Sequence, residues 1–279
     1  MLSQDQRAQF ARDGYIVVPA FKDAREIARV RERAAQIVND FEPNQNRTIF
    51  TTRDQLAATD DYFLRSDNTI RCFFEEEAFD QHGQLRQEKA LSINKIGHAL
   101  HDLDPVFNAF SRDPQLAQLA RDLGLKDAKV WQSMYIFKQP GIGGEVGWHQ
   151  DATFFETNPI TVTTFWFALE DATLDNGCLW VQPGGHRGPM RERFVRNGDD
   201  IKMEKLDSTP WPDATSAVPL EAKAGSLVCF HGLLPHYSAP NRSSVSRHAY
   251  TLHATCASAE YSPQNWIQRD VAFPVRGFI

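Results

Sequence analysis

Residues 161–182 have the sequence TVTTFWFALEDATLDNGCLWVQ, in which two runs of apolar, β-branched and aromatic residues are separated by polar turn residues. Runs of this composition favour short β-strands, here over residues 161–169 and 178–182. The dipeptide Asn176-Gly177 between them is typical of a tight hairpin turn. This stretch therefore predicts antiparallel β-structure in the second half of the chain.

The same pattern extends to both sides of this stretch. Short β-rich runs separated by turn residues predict six further strands, over residues 130–137, 147–153, 217–221, 226–231, 236–238 and 247–255. About eight short strands that follow a helical segment are typical of a jelly-roll or cupin-like double-stranded β-helix. The expected fold class is mainly β, with a double-stranded β-helix core buttressed by N-terminal α-helices.

The first part of the chain has helical periodicity. Capping-box patterns at Ser3 and Asp23 predict two helices, with a short strand over residues 15–18 between them. Two more helices are expected over residues 93–110 and 114–123. These helices are interpreted as packing elements that cover one side of the β-structure.

The length of 279 residues is compatible with two domains, but barrels and sandwiches of this size often form single units. We expect one domain over residues 1–279. In this interpretation residues 1–125 form a mostly helical buttress, and residues 126–279 form the β-helix core.

Composition argues against several classes of protein. The chain has 30 Lys and Arg against 36 Asp and Glu, so it lacks the basic surface that nucleic-acid binding requires. The sequence contains no 18-residue apolar run that would indicate a membrane-spanning helix, and no pattern that would indicate a signal peptide. The four cysteines form no CxxC pair, which argues against a zinc ribbon or a disulfide framework. We expect a cytoplasmic protein that binds a small molecule, and its oligomeric state is left open.

Three pieces of sequence could form a metal site. His149 and Asp151 are two residues apart, and on a strand they would share one face. A second cluster contains His231 and His236, either of which could supply a second imidazole. Two histidines and one carboxylate are the donors that non-haem Fe(II) oxygenases use. Arg247 follows, and its planar fork could bind a carboxylate in a bidentate manner.

Longer segments resemble a known family. The order of HQD (149–151), HYSAPNRS (236–243) and Arg247 resembles the phytanoyl-CoA dioxygenase family of Fe(II)- and 2-oxoglutarate-dependent oxygenases. The resemblance extends over nearly the whole chain. It is strongest in SINKIGHALHDLDPVF (92–107), QSMYIFKQPGIGGEVGWHQDATFF (132–155) and EDATLDNGCLWVQPGGH (170–186).

This resemblance implies specific iron ligands and cofactors. Carried over to this chain, it makes His149, Asp151 and His236 the ligands of Fe(II), and it favours His236 over His231. It also implies that 2-oxoglutarate is the cosubstrate and dioxygen the oxidant, with ascorbate as a supporting reductant.

The resemblance further implies how 2-oxoglutarate is held. Arg247 and Ser238 would clamp its distal carboxylate, and Lys95, Met134 and Trp166 would line the rest of its pocket.

The same residues also have structural interpretations. Arg247 could instead form a structural salt bridge, and Lys95 on a helix would by default face solvent. Met134 and Trp166 would be core residues on periodicity alone. His253 could approach the cosubstrate pocket, although a buried, hydrogen-bonded histidine is the commoner outcome.

The expected function is that of an Fe(II)- and 2-oxoglutarate-dependent dioxygenase. It would hydroxylate or otherwise oxidise a small organic molecule and release succinate and CO₂. One alternative is a metal-dependent cupin-like hydrolase or isomerase that uses the same ligands without 2-oxoglutarate. Another is a non-catalytic jelly-roll binding module. The primary substrate is left open.

Overall fold

The computed structural model describes residues 2–44, 46–52, 56, 60–213 and 215–279. The first helix, α1 (Gln4–Asp13), begins with a capping box at Ser3 and ends at Gly14, whose φ of 82° suits a residue without a Cβ atom. The second helix, α2 (Ala24–Asp40), begins with a capping box at Asp23. Both predicted helices are therefore present.

Four shorter helices follow in the described residues, at Asp61–Leu64, Leu100–Leu103, Pro105–Ser111 and Pro114–Asp122. Within the part of the chain that the structure describes, no helix has the length and apolar character needed to cross a membrane.

Strands make up most of the remaining regular structure. In chain order they are β1 (Tyr15–Val18), β2 (Ile70–Phe74), β3 (Ile93–His98), β4 (Ala128–Ile136), β5 (Val146–His149), β6 (Thr157–Asn158), β7 (Thr163–Ala168), β8 (Leu179–Val181), β9 (Glu192–Asn197), β10 (Asp200–Lys205), β11 (Val218–Leu220), β12 (Leu227–His231), β13 (His236–Ser238), β14 (Ala249–Cys256) and β15 (Glu260–Tyr261).

Two antiparallel sheets form the core. The large sheet has seven strands in the order β1-β12-β7-β14-β4-β3-β2, and the small sheet has four in the order β11-β8-β13-β5. Strands β9 and β10 form a separate hairpin, and β6 pairs with β15. The core strands β4, β5, β7 and β8 alternate between the two sheets, and so do β11, β12, β13 and β14, as in a jelly roll. The predicted fold class is therefore confirmed.

The two faces of the large sheet have different surroundings. On β4, Tyr135 packs in the apolar core together with residues of α2 such as Val30 and Ala34. Gln132 and Met134 face the opposite way and line a cavity between the two sheets. This alternation follows from the two-residue period of a strand. The helices therefore cover one face, and the other face is free to form a site.

The predicted helix over residues 93–110 is only partly correct. Residues Ile93–His98 form strand β3, which pairs with β2 and β4, and helical structure begins at Leu100. All six residues of β3 are buried. A fully buried strand shows no alternation of polar and apolar residues, so its sequence resembles a buried helix.

The hairpin predicted at Asn176-Gly177 is wrong. Strand β7 belongs to the large sheet and β8 to the small one, so the segment between them passes from one sheet to the other. The Asn176 side chain accepts from the Thr173 backbone amide at 2.8 Å and donates to the Asp171 carbonyl at 2.9 Å. The Asn-Gly pair therefore stabilises a local turn that leads into the crossover.

Candidate metal and cosubstrate site

Three side chains converge at one end of the small sheet. Strand β5 ends at His149 and β13 begins at His236, and the two residues are directly opposed in the sheet register. The Nε2 atoms of His149 and His236 lie 3.7 and 3.6 Å from Asp151 Oδ1. One ligand atom from each residue lies within 4.8 Å of the other two, which is the spacing of a metal site.

Asp151 is not part of a strand. The strand predicted over residues 147–153 ends at His149, and Asp151 begins a single turn of 3₁₀-helix that extends to Thr153. The turn brings the carboxylate beside both imidazoles. The convergence therefore comes from the turn, and the predicted alternation along a strand was the wrong reason for it.

Main-chain carbonyls orient both imidazoles. The Nδ1 atom of His149 lies 2.8 Å from the Gly147 carbonyl, and that of His236 lies 3.0 Å from the Leu234 carbonyl. A carbonyl can only accept, so each Nδ1 carries the proton and each Nε2 presents a lone pair toward the site. Burial, together with His236, lowers the pKa of His149 to about 4, so its neutral form prevails near pH 7.

The second oxygen of Asp151 is held separately. The Thr164 hydroxyl donates to Oδ2, and the Nε2 of His253 lies 3.5 Å from the same atom. Burial alone would raise the pKa of Asp151, but the imidazoles of His236 and His253 lower it well below its usual value. The carboxylate is therefore ionised, and its Oδ1 is directed toward the two ligand-type histidines.

A buried guanidinium faces the same cavity. Arg247 is 2% exposed, its Nη2 lies 3.4 Å from Ser238 Oγ, and its Cζ lies 5.4 Å from the centre of the Trp166 ring. Its Nε and Nη1 atoms have no hydrogen-bond partner in the described residues. Burial lowers the pKa of Arg247 to about 10, so the group remains positively charged at neutral pH. A buried cation without a carboxylate indicates space for an anionic ligand.

Lys138 is a residue of this end of the cavity that the sequence analysis missed. It is 2% exposed, and its Nζ donates to the carbonyls of Gly144 at 2.7 Å and Ser238 at 3.3 Å. Burial, together with Arg247, lowers the pKa of Lys138 well below its usual value. Its even spacing from Met134, one residue beyond the strand predicted over residues 130–137, was the one available signal, since even spacing along an extended chain indicates a shared face.

The structure places Lys95, Met134 and Trp166 on the cavity wall. Lys95 Nζ lies 3.8 Å from Met134 Sδ and 3.2 Å from the centre of the Phe50 ring. Met134 and Trp166 flank Thr251 of β14 in the sheet register. Lys95 is buried on a strand and not on the solvated helix considered above. Burial therefore lowers its pKa well below the usual value.

The cavity that joins these groups has a volume of about 380 Å³. Its lining includes the three ligand-type residues as well as Arg247 and Lys138. Phe154, Phe155 and Trp266 contribute aromatic surface elsewhere on its wall.

A double-stranded β-helix with two histidines and one carboxylate beside an open cavity is the architecture of the non-haem Fe(II) oxygenases. The family description "Phytanoyl-CoA dioxygenase (PhyH)" matches residues 10–249. The chain belongs to this family, and the prediction of an oxygenase is confirmed.

Two relatives match along nearly their full lengths. The chain is 46% identical over 271 residues to phytanoyl-CoA dioxygenase 1 of Oryza sativa, covering 97% of this chain and 95% of the relative. It is 43% identical over 282 residues to phytanoyl-CoA dioxygenase domain-containing protein 1 of Rattus norvegicus, covering 98% and 97%.

Solved structures support the fold at lower identity. The non-haem α-ketoglutarate-dependent carbocyclase SnoK from nogalamycin biosynthesis aligns with a TM-score of 0.66 at 17% identity, covering 99% of this chain and 97% of that one. EctD from S. alaskensis, solved with 2-oxoglutarate and 5-hydroxyectoine, aligns with a TM-score of 0.64 at 23% identity, covering 96% and 84%.

Proposed function

We propose that this protein is an Fe(II)- and 2-oxoglutarate-dependent dioxygenase that hydroxylates or otherwise oxidises a small organic molecule, with release of succinate and CO₂. One observation carries the proposal. Among the described residues, this cavity contains a buried carboxylate, Asp151, to which no lysine or arginine is paired, and a buried guanidinium, Arg247, to which no carboxylate is paired. A divalent metal and a dicarboxylate would complete both.

In this proposal His149, Asp151 and His236 hold the iron. Two imidazoles whose Nε2 atoms face the site and one carboxylate fit Fe(II), and they leave coordination positions for other ligands. When bound, Fe(II) supplies activation of dioxygen coupled to oxidative decarboxylation of 2-oxoglutarate. The protein contributes fixed orientation, because each histidine is tied through Nδ1 to a carbonyl and Asp151 is tied through Oδ2 to Thr164.

The proposed cosubstrate contacts lie in the part of the cavity that contains Arg247. Arg247 has free N–H groups for the distal carboxylate of 2-oxoglutarate, and the Ser238 hydroxyl lies beside it. Met134 and Trp166 supply apolar walls, and Lys95 adds a buried amine. Holding the cosubstrate at one end leaves the rest of the cavity for the molecule that is oxidised.

A hydrolase or isomerase with the same metal ligands is the main rival. Such an enzyme would have no use for a buried guanidinium that lacks a partner at the site, so Arg247 argues against it. A non-catalytic jelly-roll module would explain neither Arg247 nor the oriented imidazoles.

Oxygen uptake tests the proposal directly. The purified protein would be supplied with Fe(II) and ascorbate and screened against a panel of small metabolites, with and without 2-oxoglutarate. We expect oxygen consumption and succinate release only when both Fe(II) and 2-oxoglutarate are present. Turnover of a panel compound with Zn²⁺ alone, or without 2-oxoglutarate, would favour the hydrolase or isomerase.

We also propose that residues 1–125 and 126–279 form one cooperative domain. The helix α2 and the strands β7 and β14 contribute to the same apolar core, which supports this assignment. A single unfolding transition observed by both fluorescence and circular dichroism is the expected result. A cytoplasmic location remains a prediction from the sequence.

A further inference from the structure

Three buried glutamines differ in how their amides are satisfied. The Nε2 atoms of Gln139 and Gln150 each donate to two main-chain carbonyls, at distances of 2.8 and 3.0 Å. Gln132 is 5% exposed and lines the cavity, and its amide makes no hydrogen bond to any residue that the structure describes. Its amide is therefore available to a molecule in the cavity.

Gln132 lies on the wall of the cavity close to the metal site. It is opposite His253 in the register of β4 and β14, and His253 is opposite Thr164 in that of β14 and β7. His253 and Thr164 both approach Asp151 Oδ2. Neighbouring strands are about 4.8 Å apart, so the Gln132 amide lies within the length of one small molecule from the proposed iron ligands.

The surroundings of Gln132 differ from the cosubstrate end in charge. Among the described residues that line the cavity, the cations are Lys95, Lys138 and Arg247. Lys95 is opposite Ile136, four residues along β4 from Gln132, and its Nζ lies 5.4 Å from the centre of the Phe63 ring. The nearer imidazole of His98 stays neutral because burial lowers its pKa well below the usual value.

Aromatic surface accompanies this neutral region. Phe155 stacks on His253 with ring centres 4.9 Å apart, and Trp266 contacts His98 with ring centres 5.1 Å apart. All four residues line the cavity. An apolar body would be buried favourably here, and the amide would supply one donor group and one acceptor.

We propose that Gln132 anchors the primary substrate, and that this substrate is a small uncharged molecule with an apolar or aromatic body and a carboxamide-like group. The proposal deepens the proposed function and rests on it. A carboxamide pairs with both the donor and the acceptor of Gln132. A carboxylate would place one of its own oxygens against the Gln132 carbonyl, and two acceptors cannot share a hydrogen bond.

The test compares the wild type with Gln132→Leu by anaerobic calorimetry, with Fe(II) and 2-oxoglutarate bound and dioxygen excluded. The probes are phenylacetamide and phenylacetate. We expect the wild type to bind phenylacetamide at least about tenfold more tightly than phenylacetate, and Gln132→Leu to lose that preference. Equal binding of phenylacetamide by both proteins, or a wild-type preference for phenylacetate, would overturn the proposal.

Thermal unfolding supplies a readout that does not depend on binding. Gln132→Leu removes an unpaired buried amide, so its Tm is expected to equal or exceed that of the wild type. The matched control, Gln139→Leu, removes two hydrogen bonds to buried carbonyls and is expected to lower the Tm. A fall in Tm for Gln132→Leu as large as that of the control would mean that Gln132 is structural.

Failure of this inference can be told apart from failure of the proposed function. If the wild type shows no 2-oxoglutarate-dependent oxygen uptake, the oxygenase assignment fails. If oxygen uptake persists in Gln132→Leu and amide binding is unchanged, only the substrate anchor fails.

Discussion

Two buried carboxylates with imidazole neighbours lie in different parts of this molecule and have different partners. In the Asp102 cluster, formed by His101, Asp102, Arg112 and Arg276, two guanidinium groups bind Asp102 Oδ1 and the His101 Nε2 lies 3.1 Å from Oδ2. In the metal-site cluster, formed by His149, Asp151, His236 and His253, no arginine or lysine among the described residues bridges to the carboxylate.

The difference is one of charge compensation. The Asp102 cluster contains its own cations, so it is complete without a ligand and ties the C-terminal segment to the helical region. The metal-site cluster has an ionised carboxylate to which no arginine or lysine among the described residues is paired, so a metal ion would complete it. A His–Asp contact alone therefore does not indicate a metal site, and the missing guanidinium is the informative feature.

The arginines repeat the contrast. Arg112 is paired with the carboxylate of Asp102, whereas no carboxylate in the described part of the chain is paired with Arg247. The cavity therefore combines an uncompensated anion and an uncompensated cation, and each is explained by a ligand of opposite charge.

Substitution of the two carboxylates should give the largest effects. We expect the Asp151 variant to lose metal binding and the Asp102 variant to lose stability. Asp151→Ala is expected to abolish succinate formation and to weaken Fe(II) binding by at least about 100-fold, because it removes a ligand. Its metal-free stability is expected to fall less than that of the Asp102 variant below, because no arginine or lysine loses its partner. Anaerobic metal titration and urea unfolding measure both quantities.

Asp102→Asn is the matched variant in the other cluster. It leaves two arginines without their carboxylate, so we expect a loss of about 3 kcal/mol in the free energy of unfolding and unchanged Fe(II) affinity. A variant of Asp102 that loses iron while keeping its stability would contradict the distinction between the clusters.

Arg247→Gln should have the next largest effect. Removal of the guanidinium is expected to raise the 2-oxoglutarate concentration needed for half-maximal turnover by about 10- to 100-fold, since a charge-assisted bidentate contact is lost. Arg242→Gln is the control, because Arg242 is half exposed and pairs with Glu77. An unchanged requirement in Arg247→Gln would assign the clamp to another residue.

Thr164→Val tests whether the hydroxyl that binds Asp151 contributes to Fe(II) affinity, and its expected effect is smaller. The substitution keeps the shape of the side chain but removes the hydroxyl that donates to Oδ2. We expect Fe(II) affinity to fall about tenfold in anaerobic titrations. Thr163→Val is the control on the same strand, and its hydroxyl donates to the Thr161 carbonyl. Equal affinities for the two variants would remove Thr164 from the account.

Histidines outside the metal-site cluster should give the smallest effect. Burial lowers the pKa of His231 and His248 to about 4, whereas an unfolded histidine titrates near 6.5. Between these values the unfolded state binds more protons. The stability that these residues contribute is therefore present above about pH 6.5 and is lost as pH falls toward 4.

The free energy of unfolding is expected to change by at most about 1.4 kcal/mol per pH unit for each of these histidines. Urea unfolding at pH 7 and pH 5 measures it. His231→Gln should show a smaller decrease than the wild type, and an identical decrease would exclude His231 from the effect.

The sequence predicted correctly those features that depend on neighbouring residues or on the resemblance to the family. The helices α1 and α2 were predicted from their capping boxes, and His149, Asp151 and His236 were named as candidate ligands before their positions in space were known. The strand β3 was mistaken for a helix because it is buried on both faces. Lys95 was therefore considered on a solvated helical face that does not exist.

Features that depend on sheet register were inaccessible from one sequence. The proximity of Thr164 and His253 to Asp151 arises from pairing between β7 and β14, which are more than 80 residues apart. The unpaired amide of Gln132 is visible only once all its neighbours are placed. Periodicity assigns a residue to a face, but it does not show which polar groups remain unsatisfied there.

Binding of 2-oxoglutarate under anaerobic conditions tests the central claim most directly, namely that one cavity holds both a metal at His149, Asp151 and His236 and a dicarboxylate at Arg247. Calorimetry would compare the Fe(II)-loaded protein, the metal-free protein and Asp151→Ala. The account predicts that binding is strong in the first and at least about tenfold weaker in the other two, because the metal supplies part of the site. Equal binding in all three would contradict it.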